Sequence, residues 1–375
     1  MSGPLAGLRI VEFAGLGPAP YAAMLLADLG ADVLRLERLE TRSHASSGEI
    51  LLRSRTSVAL DLKSDAGREL ALELSTRADA VIEGFRPGVM ERLGLGPGDL
   101  LAQNPRLVYG RMTGYGQSGA LSQRSGHDIN YIAVSGALWP LGRAGERPTP
   151  PMNLVGDFGG GSLFLVLGVL AGVWSARETG LGQVVDAAMV DGSASMLAMM
   201  HSFINQGFWN EERGTNILDT GAHFYEVYET SDHQFMAVGA IEAKFYEQLL
   251  RGLGLESSDL PHQMDRTQWP VMKERLAAVF ATKTRDEWTS IFDTLDACVT
   301  PVLAPREAPK HPYNTERDVY LSEPVQPAPA PRFSRTPGSI RAVLSVRDAL
   351  ASWGVSEERV VTLERSGVIG EGVVA

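Results

Sequence analysis

The sequence is nearly without cysteine. Cys298 is the only one, so no disulfide can form within the chain. That usage fits a reducing compartment, and the ordinary reading of a single such residue is a small buried hydrophobe. Positive charge is also scarce: 34 Lys and Arg stand against 45 Asp and Glu, a formal net charge of −11. Nucleic acid is therefore not the expected partner, because its recognition needs a basic surface. An anionic small molecule is compatible with this balance, since a local cluster suffices to bind it. Long apolar runs are missing too. The longest, residues 163–174, falls well short of the ~20 residues that span a bilayer and reads as a buried helix. Residues 1–7 hold no basic stretch followed by an apolar one, so no signal peptide is expected. Residues 372–375 carry no retention or peroxisomal address. The expectation is a cytoplasmic protein with no membrane partner. No internal repeat is present, and the histidines are scattered rather than clustered as metal ligands.

What is present is a globular composition. Hydrophobic residues make up 44% and charged residues 21% of 375, enough for roughly two domains. Residues 8–13 read as a strand, 21–29 as a helix stopped by Gly30, and 31–36 as a second strand. Such a strand–helix–strand unit argues for a parallel sheet. The glycines between do not match the dinucleotide fingerprint. Strands at 58–62, 79–83 and 107–112 alternate with a helix capped by Ser64 and with short helices at 87–93 and 97–103. The first 185 residues are therefore expected to be doubly wound α/β. A helix at 161–177, a strand within 182–189 and one long helix at 190–207 follow. Beyond them the pattern changes to a hairpin (223–230 and 234–238) with helices at 242–253, 271–281 and 285–295 and a strand near 298–303. Four prolines between 324 and 331 mark an extended linker. Two closing helices are expected at 345–353 and 356–369.

One stretch concentrates the chemistry. It opens with Gly126-His127-Asp128-Ile129-Asn130-Tyr131 and closes with Val155-Gly156-Asp157-Phe158-Gly159-Gly160-Gly161. A histidine titrates near neutral pH and suits general base work. His127 precedes a helix expected at 129–137, whose N-terminus favours developing negative charge. Asp128 either orients the imidazole or offers its backbone N–H to an oxyanion. Asp157 is either a second catalytic group or a cap for the apolar helix, and the glycines after it leave room for something to approach the backbone. The Asp-Phe-Gly triplet matches a kinase signature, but no glycine-rich loop, lysine strand or catalytic loop accompanies it. Arg38, Arg53, Arg55, Lys63, Arg86 and Arg92 fall at strand ends or in loops. Each singly suits a solvated surface; together, at the edge of a parallel sheet, they suit phosphates. Met189, Met196, Met199 and Met200 suit core packing, or a surface for a flexible apolar chain.

These segments carry a resemblance. Pro4-Leu5-Ala6-Gly7-Leu8-Arg9, Ala27-Asp28-Leu29-Gly30-Ala31-Asp32-Val33, Ala59-Leu60-Asp61-Leu62-Lys63, Arg86-Pro87-Gly88-Val89, the Gly126–Tyr131 run and Gly182-Gln183-Val184-Val185-Asp186-Ala187-Ala188-Met189 are similar to the family III CoA-transferase superfamily. The similarity runs to about Arg335. Within the superfamily the chain resembles the α-methylacyl-CoA racemases of bacterial type. In the transferases the acid matching Asp157 is a nucleophile that forms acyl anhydrides, a non-basic residue commonly replaces the histidine, and a glycine-rich loop covers the site. Here His127 is present, and the hairpin ends in Val238-Gly239-Ala240-Ile241-Glu242.

The resemblance implies a Rossmann-like large α/β domain with a small α+β domain, in an interlocked homodimer. Pattern and resemblance together lead to the expectation of a large CoA-binding domain at 1–187, a linker helix at 188–221, a small domain at 222–310, a proline-rich return linker at 311–336 and a C-terminal helical segment at 337–375, read from pattern only, packing on the large domain. It implies a racemase acting on 2-methylacyl-CoA in fatty acid metabolism by two-base proton transfer through an enolate. His127 would act on the (S) face and Asp157 on the (R) face. The Asp128 N–H would stabilise the enolate, and Glu242 would hydrogen-bond His127, in the interlocked dimer that of the other chain. Arg38, Leu60, Asp61, Leu62, Lys63, Gly84, Phe85, Arg86, Arg92, Gly126, His127, Asp128, Ile129, Asn130 and Tyr131 would contact the acyl-CoA. No metal or organic cofactor is implied, CoA being part of the substrate. The rival expectations are CoA transfer through Asp157 and a catalytically silent CoA-binding homologue.

Overall fold

The computed structural model of the chain describes residues 3–39, 49–255 and 260–372. Residues 1–2 and 373–375, which enter the expectation of no leader and no address, lie outside them. Six strands form a parallel sheet: β1 (Arg9–Phe13), β2 (Asp32–Glu37), β3 (Thr56–Leu60), β4 (Ala80–Glu83), β5 (Val108–Thr113) and β6 (Val184–Ala188). Their order is β3-β2-β1-β4-β5-β6, with every pairing parallel. β1 to β5 are buried almost throughout, as strands covered on both faces must be. The helices between them are α1 (Pro18–Asp28), α2 (Asp65–Thr76), α3 (Val89–Arg92), α4 (Pro97–Gln103), α5 (Asp128–Ser135) and α6 (Phe164–Thr179); α7 (Met189–Met196) and α8 (Ala198–Asn205) follow β6. Successive residues of β1 serve opposite faces. Val11 packs with Leu70 and Leu74 of α2 and Leu100 of α4. Ile10 packs with Leu26 of α1 and Leu165 and Val169 of α6. The doubly wound expectation holds, and so does the Ser64 cap, whose Oγ accepts the Gly67 N–H at 3.1 Å.

Four expectations are corrected. The helix expected at 356–369 stops at Arg365, because Gly367 turns left-handed at φ 69° and Val368 N–H closes back on the Leu363 carbonyl. The chain then adds Ile369–Glu371 antiparallel to β3 at the sheet edge. The single helix expected at 190–207 is two, α7 and α8, with Leu197 between. The apolar helix begins earlier than 161: a π-helical stretch, Leu154–Leu163, runs directly into α6. The pair makes 26 continuous helical residues, long and apolar enough to cross a bilayer, so length alone does not exclude that. Leu165, Val169, Val173 and Ala176 are nonetheless buried in the core on the sheet. Cys298, expected to be buried, is exposed.

The chain divides into two units. The first is Met1–Ser135, Pro151–Leu197 and Gln326–Ala375; the second is Gly136–Pro150 and Ala198–Val325. Residues 136–150, expected in the large domain, belong to the second unit, and 188–197, expected in a linker helix, belong to the first. The physical reason for the latter is packing: α7 buries Met189, Gly192 and Ser193, whereas α8 buries nothing. The return linker is also split, with 311–325 in the second unit and 326–336 in the first. The second unit holds an antiparallel sheet of β7 (Tyr225–Glu229), β8 (Phe235–Gly239) and β9 (Val299–Pro301). Its helices, Ala243–Leu253, Trp269–Phe280 and Arg285–Phe292, close over an aromatic core of Phe224, Tyr228, Trp269, Phe280 and Trp288.

Candidate active site

Strand order reverses between β1 and β4, and in such sheets ligands bind outside the carboxyl ends at that point. A cavity of about 480 Å³ lies there. Gly17 comes from the loop after β1 and Pro18 from the start of α1, Gly84 and Arg86 from the loop after β4, and Gly114 and Tyr115 from the loop after β5. The β4 loop is held by a buried acid. Glu83 accepts the Phe85 N–H at 2.7 Å and the Arg111 Nε–H at 2.9 Å. Arg111 continues to Glu91 of α3 at 2.7 Å. Burial pushes the Glu83 carboxyl above its ordinary range, opposed by the Phe85 amide and Arg111.

His127, Gly126 and Tyr131 line the same cavity. The start of α5 is fixed by local hydrogen bonds. His127 N–H donates to Asn130 Oδ1 at 3.0 Å, and the Tyr131 hydroxyl donates to the Gly126 carbonyl. The Tyr131 ring meets Tyr115 edge-on at 5.0 Å. Burial and then the nearby Asp157 charge push the Tyr131 hydroxyl up to about 12, so it stays a donor at neutral pH. Asp128 opens α5, where the first-turn N–H groups have no intrahelical acceptor. Its side chain is buried, and Oδ2 accepts the backbone N–H of Asp157 at 2.7 Å. The Asp128 carboxylate therefore engages the neighbouring helix and is not directed to the imidazole.

Asp157 also lines the cavity, half-buried. It lies inside the first turn of the π-helix, not ahead of a helix, so it is not a cap. Phe158 N–H reaches the Asn153 carbonyl, the i−5 spacing of a π-turn, and such turns recur at functional sites. Asn153 Nδ2 donates to Asp157 Oδ2 at 3.3 Å. Burial raises the Asp157 carboxyl above its ordinary value; Asn153 opposes this, Asp128 adds to it, and His127 opposes it. The following glycines accommodate α7, not a ligand. A Cβ on Gly160 would lie 2.5 Å from Ser193 Oγ, and one on Gly192 would lie 1.9 Å from the Gly160 carbonyl oxygen.

A second cavity, of about 530 Å³, shares Phe85 with the first. Arg38, Leu60, Asp61, Leu62, Lys63 and Arg92 line it, so these expected contacts gather at one place. Ile129 and Asn130 are exposed and line neither cavity. Arg53 and Arg55 are corrections. Arg53 pairs with Asp28 at 2.5 Å and Arg55 with Glu12 at 2.5 Å, all four side chains buried. Their guanidinium groups neutralise core acids and are not offered to phosphates. Met189 is buried at the first cavity, whereas Met196 and Met199 are exposed, so core packing holds for the first alone of these three. Glu242 belongs to the second unit, exposed at the start of helix Ala243–Leu253, with no capping hydrogen bond from its side chain. Among the described residues no group of three or more His, Cys, Asp or Glu is placed to hold a metal.

Glu83, Glu91, Arg111, Ser125 and Asn153 support the site, and sequence reading missed them. Ser125 accepts from Arg86 at 2.7 Å. The one legible signal was Glu83, an acid ending the otherwise apolar strand Ala80-Val81-Ile82.

Comparison with known proteins agrees with this architecture. The model of CoA-transferase family III matches residues 5–343. A Mus musculus protein named alpha-methylacyl-CoA racemase is 48% identical, over 97% of this chain and 97% of its own length. A Homo sapiens protein of the same name is 47% identical, over 89% of this chain and 87% of its own. A CAIB/BAIF family protein from Brucella suis shares the fold at 23% identity, with a TM-score of 0.78 over 91% of this chain and 95% of that one. With the family model covering the chain almost from end to end, and relatives this similar over nearly its whole length, the chain belongs to CoA-transferase family III.

Proposed function

We propose that this protein is a racemase that interconverts the (R) and (S) forms of 2-methylacyl-CoA thioesters. The observation that carries this reading is that His127 and Asp157 line one cavity, in a chain 48% identical to a protein named alpha-methylacyl-CoA racemase. In the reaction one base removes the α-proton and the C–H electron pair moves into the enolate. The second group then delivers a proton to the opposite face. His127 takes the proton from the (S) form and Asp157 from the (R) form. A raised Asp157 carboxyl suits this role, because it must act as a base in one direction and as an acid in the other. Charge growing on the thioester oxygen is met by the Asp128 backbone N–H at the N-terminus of α5. Glu242 is assigned to hydrogen-bond the His127 imidazole of the other chain in the dimer and hold its tautomer.

Arg38, Lys63 and Arg92 receive the CoA phosphates, and the pantetheine arm passes Phe85, which both cavities share. We assign no metal or organic cofactor. The working form is a homodimer in the cytoplasm. What supports the dimer is the outer face of the helix through α6, where Leu163, Leu167 and Trp174 are 52%, 63% and 70% exposed.

The test is α-proton exchange in D₂O over a panel of 2-methylacyl-CoA thioesters. Exchange is expected, with His127→Ala and Asp157→Ala each lowering racemisation on the order of 10²–10⁴-fold. No exchange with any thioester, together with hydroxylamine trapping of an acyl–Asp157 adduct, would point instead to CoA transfer.

A further inference from the structure

We propose that Asp128 is a positioning residue for Asp157, its carboxylate gripping the Asp157 backbone N–H and so fixing one base opposite the other. The inference rests on the racemase reading of the same site. Asp128 is 5% exposed, yet its Oδ2 takes the Asp157 N–H at 2.7 Å and its Oδ1 has no hydrogen-bond partner among the described residues. A buried acid held by one amide contributes little stability for what its desolvation costs, so a role beyond packing is indicated. Its neighbours leave it little latitude. A Cβ on Gly156 would lie 2.7 Å from Asp128 Oδ2, so only glycine there lets the carboxylate reach the next amide. His127 immediately precedes Asp128, and Asp157 immediately follows Gly156. One hydrogen bond thus ties the residue after one base to the backbone of the other.

The bond has an electrostatic consequence. The charged groups that act on the Asp157 carboxyl are His127 and Asp128 at the start of α5, with the Tyr131 hydroxyl coupled to it from the same helix, while Arg86 and Arg124, from the loops after β4 and β5, line the same cavity. The loop leading into α1 brings Gly17, α1 brings Pro18 and α7 brings Met189 to the cavity, none of them charged. Asp128 therefore opposes ionisation of Asp157, while the Asn153 amide and His127 favour it. Asp128 keeps Asp157 easier to protonate than the Asn153 hydrogen bond alone would leave it.

Two substitutions separate position from charge. Asp128→Asn keeps an oxygen for the Asp157 N–H and removes the charge. The acid limb of its kcat/KM profile for the (R) substrate should move to lower pH, with kcat falling less than in Asp128→Ala. Asp128→Ala removes the acceptor. It should lower kcat on the order of 10²-fold, the scale of a misplaced catalytic group, while KM changes far less. An Asn profile superimposable on the parent's, or an Ala variant with parental kcat, overturns the proposal. Should the Ala variant not fold, the Asn profile decides. Failure of the parent protein to exchange the α-proton at any pH would instead overturn the racemase reading.

Discussion

At Asp157 a carboxylate is held half out of water, beside another acid, with a single side-chain amide to hydrogen-bond it. Its pKa is raised, with burial the largest cause. The sign of the consequence for stability follows directly. A raised carboxyl prefers to be protonated in the folded state, so the folded state binds more protons than the unfolded state between the ordinary value of 3.8 and the raised one. Stability is therefore lost as pH rises through that window, and the charged group is a burden at neutral pH. Asp157→Asn should raise Tm at pH 7, and the gain should shrink as pH falls through that window and be lost below 3.8. Thermal melts of both proteins from pH 3 to 7 check this. A gain of the same size at every pH would show that charge is not the cause. That His127 and Asp157 line one cavity was legible because a histidine and an acid among small, apolar neighbours stand out. Asn153 was not, since an asparagine before a glycine-rich stretch reads as a turn; its role depends on a π-turn that brings residues four and five apart together.

At the scale of elements, the contact between the π-helix and α7 decides where Asp157 sits. Gly160 and Gly192 let the two backbones meet, and Ser162 Oγ donates to the Pro18 carbonyl at 2.7 Å, tying the same turn to α1. Gly192→Ala would place a methyl group 1.9 Å from the Gly160 oxygen, a backbone atom that cannot swing aside. It should destabilise the protein by at least about 1–3 kcal/mol, the range for overpacking. Urea denaturation measures this; an unchanged midpoint would mean the helices can part. The glycine run after Asp157 was visible in the sequence, but its partner was not. Glycine signals close approach without saying what approaches. Strands and helices of the parallel sheet were legible for a simpler reason: alternating β and α patterns with caps such as Ser64 are local signals.

Across the whole first unit, charge is buried in pairs that join distant segments. Arg53 meets Asp28 from β2's preceding helix α1, and also donates to Gln326 Oε1 and the Pro327 carbonyl, each at 2.8 Å. Arg341 donates its backbone N–H to Ser54 Oγ at 3.0 Å. The returning segment is thus anchored on the same arginine-rich turn, and Val346, Leu350 and Trp353 complete the core beyond it. Arg53→Ala should cost about 3–5 kcal/mol, because it leaves the Asp28 carboxylate buried without its counter-ion. Measured by urea unfolding, with KM for the acyl-CoA in parallel, the loss should appear in stability and not as a selective rise in KM. A selective rise would return Arg53 to the phosphate site.

The doubly wound α/β class, the two proposed bases and most of the lining of the second cavity were carried by local pattern and motif, since hydrophobic period, caps and residue types all act over a few positions. Which arginines face solvent and which neutralise core acids, where the two units divide, and why three glycines follow Asp157 depended on partners tens to hundreds of residues away. Arg53 and Lys63 look alike in sequence; Asp28 and Gln326 set one of them apart. The same holds for Asp128, an ordinary helix-start acid until the fold brings the Asp157 amide to its carboxylate.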